Sequence, residues 1–108
     1  LGGLDVLINN AGVAEPERAL ELTEAQWDAH LDINLKGCFF AAQSAARIMA
    51  KQETGGSIVN IASILGERVA ISVAPYSAAK AGLIQLTKSL ALEWARYKVR
   101  VNALAPGY

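Results

Sequence analysis

The chain has 108 residues, of which 53% are hydrophobic and 19% are charged, a balance typical of one globular domain rather than of a disordered segment. Ten basic and ten acidic residues cancel, so the net charge favours neither a nucleic acid nor an anionic membrane as a partner. With a single cysteine and no apolar run of about 20 residues, the sequence predicts no internal disulfide, no transmembrane helix and a cytoplasmic location.

The first predicted element is a strand. Residues 6–10 form a short apolar run that ends in two asparagines, and Gly12 follows it. Such a run, bounded by glycines, is typical of a buried strand in a parallel sheet.

A long helix is predicted over residues 23–51. Thr23 and Gln26 have the spacing of a capping box, which satisfies the first backbone amides of a helix. Asn34 and Gly37 are weak helix formers, so we expect a local kink at the centre. The apolar positions that recur at helical spacing are Trp27, Leu31, Leu35, Phe39 and Ala42.

The second half of the chain repeats this order. Residues 57–62 predict a strand, residues 63–74 a loop, and Pro75 suits the first turn of a helix over residues 76–97. A last strand is predicted over residues 99–105. Strands that alternate with long helices indicate an α/β fold with a parallel sheet. This β-α-β-α-β order has the content of one half of a doubly wound dinucleotide-binding (Rossmann) fold.

Tyr76 and Lys80 are the central chemical pair. A spacing of four places both side chains on one helix face, about 6 Å apart along the axis. A nearby ammonium favours the phenolate and lowers the pKa of the phenol, so the pair suits general acid and base catalysis. Taken alone, the same spacing also fits a half-exposed helix pair without a function.

Three further positions fall where a ligand would bind. Ser63 follows the second strand, and the segment Asn9-Asn10-Ala11-Gly12 ends the first; open α/β sheets bind ligands beyond the carboxyl ends of their strands. A kink at Asn34 would free a backbone carbonyl for a water. Each position also has an ordinary structural explanation.

Taken together and in this order, these motifs, with the segment Asn102-Ala-Leu-Ala-Pro106-Gly107, strongly resemble the classical short-chain dehydrogenase/reductase family. The resemblance covers all 108 residues. It implies an oxidoreductase that interconverts a carbonyl and a secondary alcohol of a small molecule, using NAD or NADP.

The resemblance also implies roles for single residues. Tyr76 would be the general acid and base, Lys80 would lower its pKa and bind the nicotinamide ribose, and Ser63 would orient the substrate oxygen. Asn34 would hold a water of a proton relay, whereas Asn9 would tie the sheet together. The remaining residues expected to lie against the cofactor are Asn10, Ala11, Gly12, Pro106 and Gly107.

The family's glycine-rich phosphate turn and the residue that separates NAD from NADP are absent from the sequence. We therefore expect residues 1–108 to be a partial domain, the second half of the fold, with the N-terminal half and the C-terminal end missing. The isolated chain is then expected to be inactive and to bind nicotinamide weakly, and the edge of its first strand should be unpaired. Micromolar NADH affinity would contradict this expectation.

Two other functions stay open at this point. A non-catalytic binding or regulatory relative could keep the fold, although such relatives typically lack the tyrosine or the lysine. A hydrolase built on Ser63 and Lys80 is disfavoured because no Gly-x-Ser-x-Gly motif surrounds the serine. His30, the only histidine, is expected on the exposed helix surface, and no metal site is predicted. The parent protein is expected to be a homodimer or homotetramer paired through its two long helices.

Overall fold

The computed structural model describes residues 3–10, 16–62 and 73–104. Within these residues the chain forms three strands and three α-helices, with two 3-10 turns at Ala19–Glu21 and Ala95–Tyr97. A π-helical segment, Asp32–Lys36, joins the first two helices and is called the π segment below. The elements in chain order are β1 (Val6–Asn9), α1 (Glu24–Leu31), α2 (Gly37–Met49), β2 (Gly56–Ile61), α3 (Ala74–Trp94) and β3 (Val99–Leu104).

The three strands form one parallel sheet in the order β1-β2-β3. Asn9 lies beside Asn60, and Asn60 lies beside Ala103, so the carboxyl ends of all three strands meet at one edge. The predicted parallel α/β arrangement is confirmed. The bounds of each predicted strand agree with the structure to within one residue at either end. Among the described residues β1 is an outer strand, as expected.

The predicted capping box opens α1. The Thr23 hydroxyl accepts a hydrogen bond from the Gln26 amide at 3.1 Å, and the Gln26 side chain accepts one from the Thr23 amide at 2.8 Å. Two of the amides that a helix start leaves without partners are thereby satisfied. Pro75 lies in the first turn of α3, as predicted. The amides of a first helical turn have no partner within the helix, so a proline, which has no N–H, costs nothing there.

The irregularity predicted at Asn34 is the π segment. The Gly37 amide donates to the carbonyl of Asp32, five residues earlier, instead of the usual four. The long helix is therefore not broken but widened by one residue at its centre. Asn34 is fully buried there.

The core lies on one face of the sheet. Met49 of α2 and Leu90 of α3 pack over Ile58 of β2 and over Val99 and Val101 of β3. On the opposite face the strands leave large apolar side chains exposed, namely Val6, Ile8 and Leu104. Both long helices thus cover the same face.

The prediction for His30 is wrong. Its side chain is 2% exposed rather than on the surface, whereas Trp27, placed on the apolar face by the sequence pattern, is 42% exposed. His30 precedes Asn34 by four residues, so both lie on the side of the helix that packs against α3. The ring can be buried because its Nδ1 bonds to the Gln26 carbonyl at 2.8 Å.

Within residues 3–10, 16–62 and 73–104, no helix combines the length and the apolar character that crossing a bilayer requires.

Candidate active site

Tyr76 and Lys80 lie together on the first turns of α3, which packs against β2 and β3. The Lys80 Nζ is 5.7 Å from the centroid of the Tyr76 ring. The predicted proximity of the two side chains on one helix face is thus present. Tyr76 is half-buried.

Lys80 is a buried cation. Its side chain is only 4% exposed, and its Nζ donates a hydrogen bond of 3.0 Å to the carbonyl oxygen of Ile61. Ile61 is the last residue of β2, so the ammonium is held at the carboxyl end of the central strand. Burying an ammonium is unfavourable unless its donors find partners, and this carbonyl supplies one of them.

The π segment packs directly against α3. A Cβ added to Gly82 would lie 3.1 Å from Leu35 Cδ2, a distance tighter than ordinary van der Waals contact. The lack of a side chain at Gly82 therefore permits the close approach of the two helices. This contact brings the backbone around Asn34 next to the helix that carries Tyr76 and Lys80.

Asn9 joins the first two strands through its side chain. Its Nδ2 donates to Asn60 Oδ1 at 2.9 Å and to the Cys38 carbonyl at 3.1 Å. The role in tying the sheet together that the family resemblance implied for Asn9 is present in the structure.

Sequence reasoning missed two buried polar residues beside Asn9. Asn60 Nδ2 donates to Thr87 Oγ1 at 3.0 Å, and Thr87 Oγ1 donates to the Leu83 carbonyl at 2.7 Å. Asn60 is 1% exposed and Thr87 5% exposed. A signal was present: Asn60 interrupts the apolar run Ile58-Val-Asn-Ile61 on the face where Ile58 is buried, and a polar residue there requires a buried partner.

Cys38 packs beside this site, where it is 3% exposed. Burial raises the pKa of its thiol, and the nearby positive charge of Lys80 acts in the opposite direction. The larger effect is burial, so the side chain stays a neutral thiol within the core.

The structure describes only one of the other predicted residues at the strand ends. Asn10 is described, exposed, and follows directly after β1. It lies beyond the carboxyl end of that strand, and its contact with a cofactor stays a prediction. Five further predicted residues lie outside the described residues, namely Ala11, Gly12, Ser63, Pro106 and Gly107.

Comparison with known proteins places these features in a family. The family model described as short chain dehydrogenase matches residues 1–108. The chain is 45% identical to the 2-dehydro-3-deoxy-D-gluconate 5-dehydrogenase of Escherichia coli K12 over 107 residues, which are 99% of the chain and 42% of that protein. It is 43% identical to the 3-oxoacyl-(acyl-carrier-protein) reductase FabG of Thermotoga maritima over 107 residues, or 99% of the chain and 43% of that protein.

A solved structure agrees with the same assignment. A protein of Agrobacterium tumefaciens, provisionally assigned as a 2-deoxy-D-gluconate 3-dehydrogenase and solved with bound NADP, superposes with a TM-score of 0.92 and 45% identity. The match covers 96% of this chain and 42% of that one. The chain therefore spans less than half the length of the relatives it matches. Since the family model covers every residue, the chain belongs to the short chain dehydrogenase family.

Proposed function

We propose that the protein carrying this chain is an oxidoreductase that interconverts a carbonyl and a secondary alcohol by hydride transfer, with NAD or NADP as cofactor. The observation that carries this proposal is the buried Lys80 ammonium, held at the end of β2 within 5.7 Å of the Tyr76 ring centroid. Ligands of open α/β sheets bind at this edge of the sheet.

The side chains present at this edge fit a nicotinamide nucleotide. An ammonium donates hydrogen bonds to oxygen acceptors, as that of Lys80 does to the Ile61 carbonyl, so the group has the chemistry to bind the hydroxyl oxygens of a ribose. Asn10, exposed at the end of β1, offers an amide at the neighbouring strand. When bound, the nicotinamide supplies or accepts the hydride.

The chain's own contribution is the movement of a proton. During reduction the Tyr76 hydroxyl would donate its proton to the substrate oxygen, and during oxidation the phenolate would take it back. The positive charge of Lys80 favours the phenolate, which keeps the proton mobile near neutral pH. Fixing Lys80 to the backbone of β2 holds that charge in one place while the proton moves.

Ser63, Asn34 and the strand-end residues complete the proposed site. Ser63 would orient the substrate oxygen, and the widened backbone at Asn34 would hold a water that relays protons from Lys80. Asn10, Ala11, Gly12, Pro106 and Gly107 would lie against the cofactor. Their proposed roles are supported by the family membership and, for Asn34, by the π segment that packs against α3.

For the substrate we propose a small oxo acid of the sugar-acid type. Support comes from the relatives named for deoxygluconate oxidation, and the reductase of oxoacyl thioesters is the alternative. We further propose that the parent protein is a cytoplasmic homodimer or homotetramer paired through α2 and α3. Those helices expose large apolar side chains, at Phe40, Ile48 and Leu92.

The decisive test is the substitution Tyr76→Phe in the full-length protein. Oxidation of NADH and of NADPH would be followed by absorbance with a deoxyketo sugar acid and with a 3-oxoacyl thioester. We expect kcat to fall by about a hundredfold to ten-thousandfold, because the proton donor is lost while the ring remains. Tyr97→Phe is the matched control, since Tyr97 is exposed and lies beyond the end of α3.

An unchanged kcat in Tyr76→Phe would contradict the proposal. If the biological activity of the protein were also unchanged in that variant, a binding or regulatory relative that keeps the fold would be favoured instead.

A further inference from the structure

A chain of hydrogen bonds between side chains runs through the core from β1 to α3. Asn9 donates to Asn60 at 2.9 Å, Asn60 donates to Thr87 at 3.0 Å, and Thr87 donates to the Leu83 carbonyl at 2.7 Å. Each of these side chains donates to the next group along the chain of bonds, from Asn9 toward α3. We call Asn9, Asn60 and Thr87 the polar tie.

The polar tie is buried. Its three side chains are 8%, 1% and 5% exposed, in the order Asn9, Asn60 and Thr87. Burying amides and hydroxyls gains little stability even when they are fully bonded, and apolar side chains of similar shape would serve a core equally well. A buried polar network does, however, allow only one relative placement of the elements that it joins, because its bonds are directional.

The elements joined are those that carry the proposed site. Asn9 directly precedes Asn10, and Leu83 follows Lys80 by one turn of α3. Asn9 also donates to the carbonyl of Cys38, two residues after the π segment. The polar tie thus links the cofactor-facing end of β1, the helix of Tyr76 and Lys80, and the helix that contains Asn34.

A second bond crosses between the same strand and the same helix. Lys80 Nζ bonds to the carbonyl of Ile61, the neighbour of Asn60 on β2. Two bonds from adjacent residues of β2 therefore reach α3 at Lys80 and Thr87, two helical turns apart. Two points of attachment fix both the position and the tilt of a rigid helix, whereas one point leaves the helix free to pivot.

We propose that Asn60 and Thr87 are positioning residues of the reaction, which hold the Tyr76 and Lys80 side chains in register with the cofactor-facing end of β1. This inference rests on the proposed function. It assigns a role in catalysis to residues that contact neither substrate nor cofactor. A small misplacement of a catalytic group lowers the rate of the chemical step more than it lowers the binding of the cofactor.

The test compares four variants of the full-length protein in the carbonyl reduction assay. Thr87→Val removes the hydroxyl but keeps the branched shape, and Thr87→Ser keeps the hydroxyl. The double variant Asn60→Leu with Thr87→Val removes both partners of their bond. The Asn9 amide then loses Asn60 as an acceptor but keeps the Cys38 carbonyl. Thr54→Val, on an exposed turn, repeats the chemical change away from the polar tie.

We expect Thr87→Val to lower kcat by about tenfold or more, with a change of less than about threefold in the KM for the nicotinamide. Thr87→Ser should restore most of the rate, and Thr54→Val should match the unmodified protein. The double variant should unfold at nearly the normal temperature and still have the low kcat. If Thr87→Val does not fold, the double variant and Thr87→Ser make the same comparison.

Recovery of full kcat in the double variant would overturn the proposal, because the loss in Thr87→Val would then come from an unsatisfied amide. Normal kcat in Thr87→Val would overturn it as well. Failure of the proposed function is recognised separately, through full activity of Tyr76→Phe.

Discussion

The Lys80 ammonium and the Ile61 carbonyl form a 3.0 Å hydrogen bond that joins α3 to the carboxyl end of β2. A lysine usually keeps its ammonium in water while its aliphatic part is buried. In Lys80 both parts are buried, and the bond to Ile61 fixes the position of the charge. In the mechanism that we propose, this fixed positive charge favours the phenolate of Tyr76.

Replacing this lysine therefore tests the site directly. In Lys80→Met we expect kcat to fall by about a hundredfold or more, since the cation beside Tyr76 is lost while the aliphatic part is kept. Stability should change little or increase, because a buried charge is removed together with its desolvation cost. Steady-state kinetics and thermal unfolding measure the two effects. Lys88→Met, an exposed position on the same helix, should leave both unchanged, and a fully active Lys80→Met would contradict the assignment.

The buried thiol of Cys38 predicts that the free energy of unfolding depends on pH at alkaline values. Burial raises the pKa of Cys38 above its ordinary value of 9.0, so the folded chain holds this proton more tightly than the unfolded chain does. The resulting stabilisation is fully present below pH 9.0 and is lost as the pH rises through that value toward the higher folded pKa. Urea unfolding at a series of alkaline pH values, compared with Cys38→Ala, measures the difference. An equal loss of stability in both proteins would contradict the prediction.

The same thiol should react slowly with iodoacetamide. Only the thiolate reacts, and the Cys38 side chain is 3% exposed, so labelling at neutral pH should require unfolding. Mass spectrometry before and after addition of urea would show this. Rapid labelling of the folded protein would place the thiol at the surface.

Gly55 should tolerate no side chain. Its backbone φ is 67°, in the left-handed region, and an added Cβ would overlap the Lys98 carbonyl. We expect Gly55→Ala to lower the free energy of unfolding by about 2 kcal/mol or more, from strain and overlap together. Denaturant unfolding measures the change, with Glu53→Ala on the same exposed turn as the control. A loss below about 0.5 kcal/mol, the usual size of a surface effect, would show that the turn adapts freely.

A substitution at His30 tests whether this side chain is exposed, as the sequence predicts, or buried, as the structure shows. A surface histidine could be replaced with a change within about 0.5 kcal/mol, whereas loss of a buried, bonded ring should cost about 1–3 kcal/mol. We expect the larger value for His30→Ala, measured by denaturant unfolding. Asp28→Ala, exposed on the same helix, is the matched control. A result equal to that control would support the surface position.

The parts of the fold that could be predicted depend on local chemistry. Thr23 and Gln26 cap a helix through neighbouring atoms, Pro75 fits only a first turn, and the apolar runs of the strands are continuous in sequence. Tyr76 and Lys80 could be paired because four residues of helix fix their separation. The irregularity at Asn34 was expected for the same local reason, since asparagine and glycine weaken a helix.

What could not be predicted depends on contacts between distant residues. The burial of His30 follows from packing of α1 against α3, although the apolar pattern favoured Trp27 for the inside. Asn60 and Thr87 are 27 residues apart, and each was unremarkable in its own segment. Only the parallel register and the position of α3 over β2 bring them within hydrogen-bonding distance.

The π segment accommodates one residue more than an ordinary α-helical turn, because the extra residue is taken up as a local widening. A one-residue deletion within residues 32–36 would therefore remove the widening and leave α1 and α2 in register. The same deletion within α2 would instead rotate the residues before it by about 100° about the helix axis. His30 would then turn away from α3, so this long helix tolerates a change of length better at its centre than anywhere else.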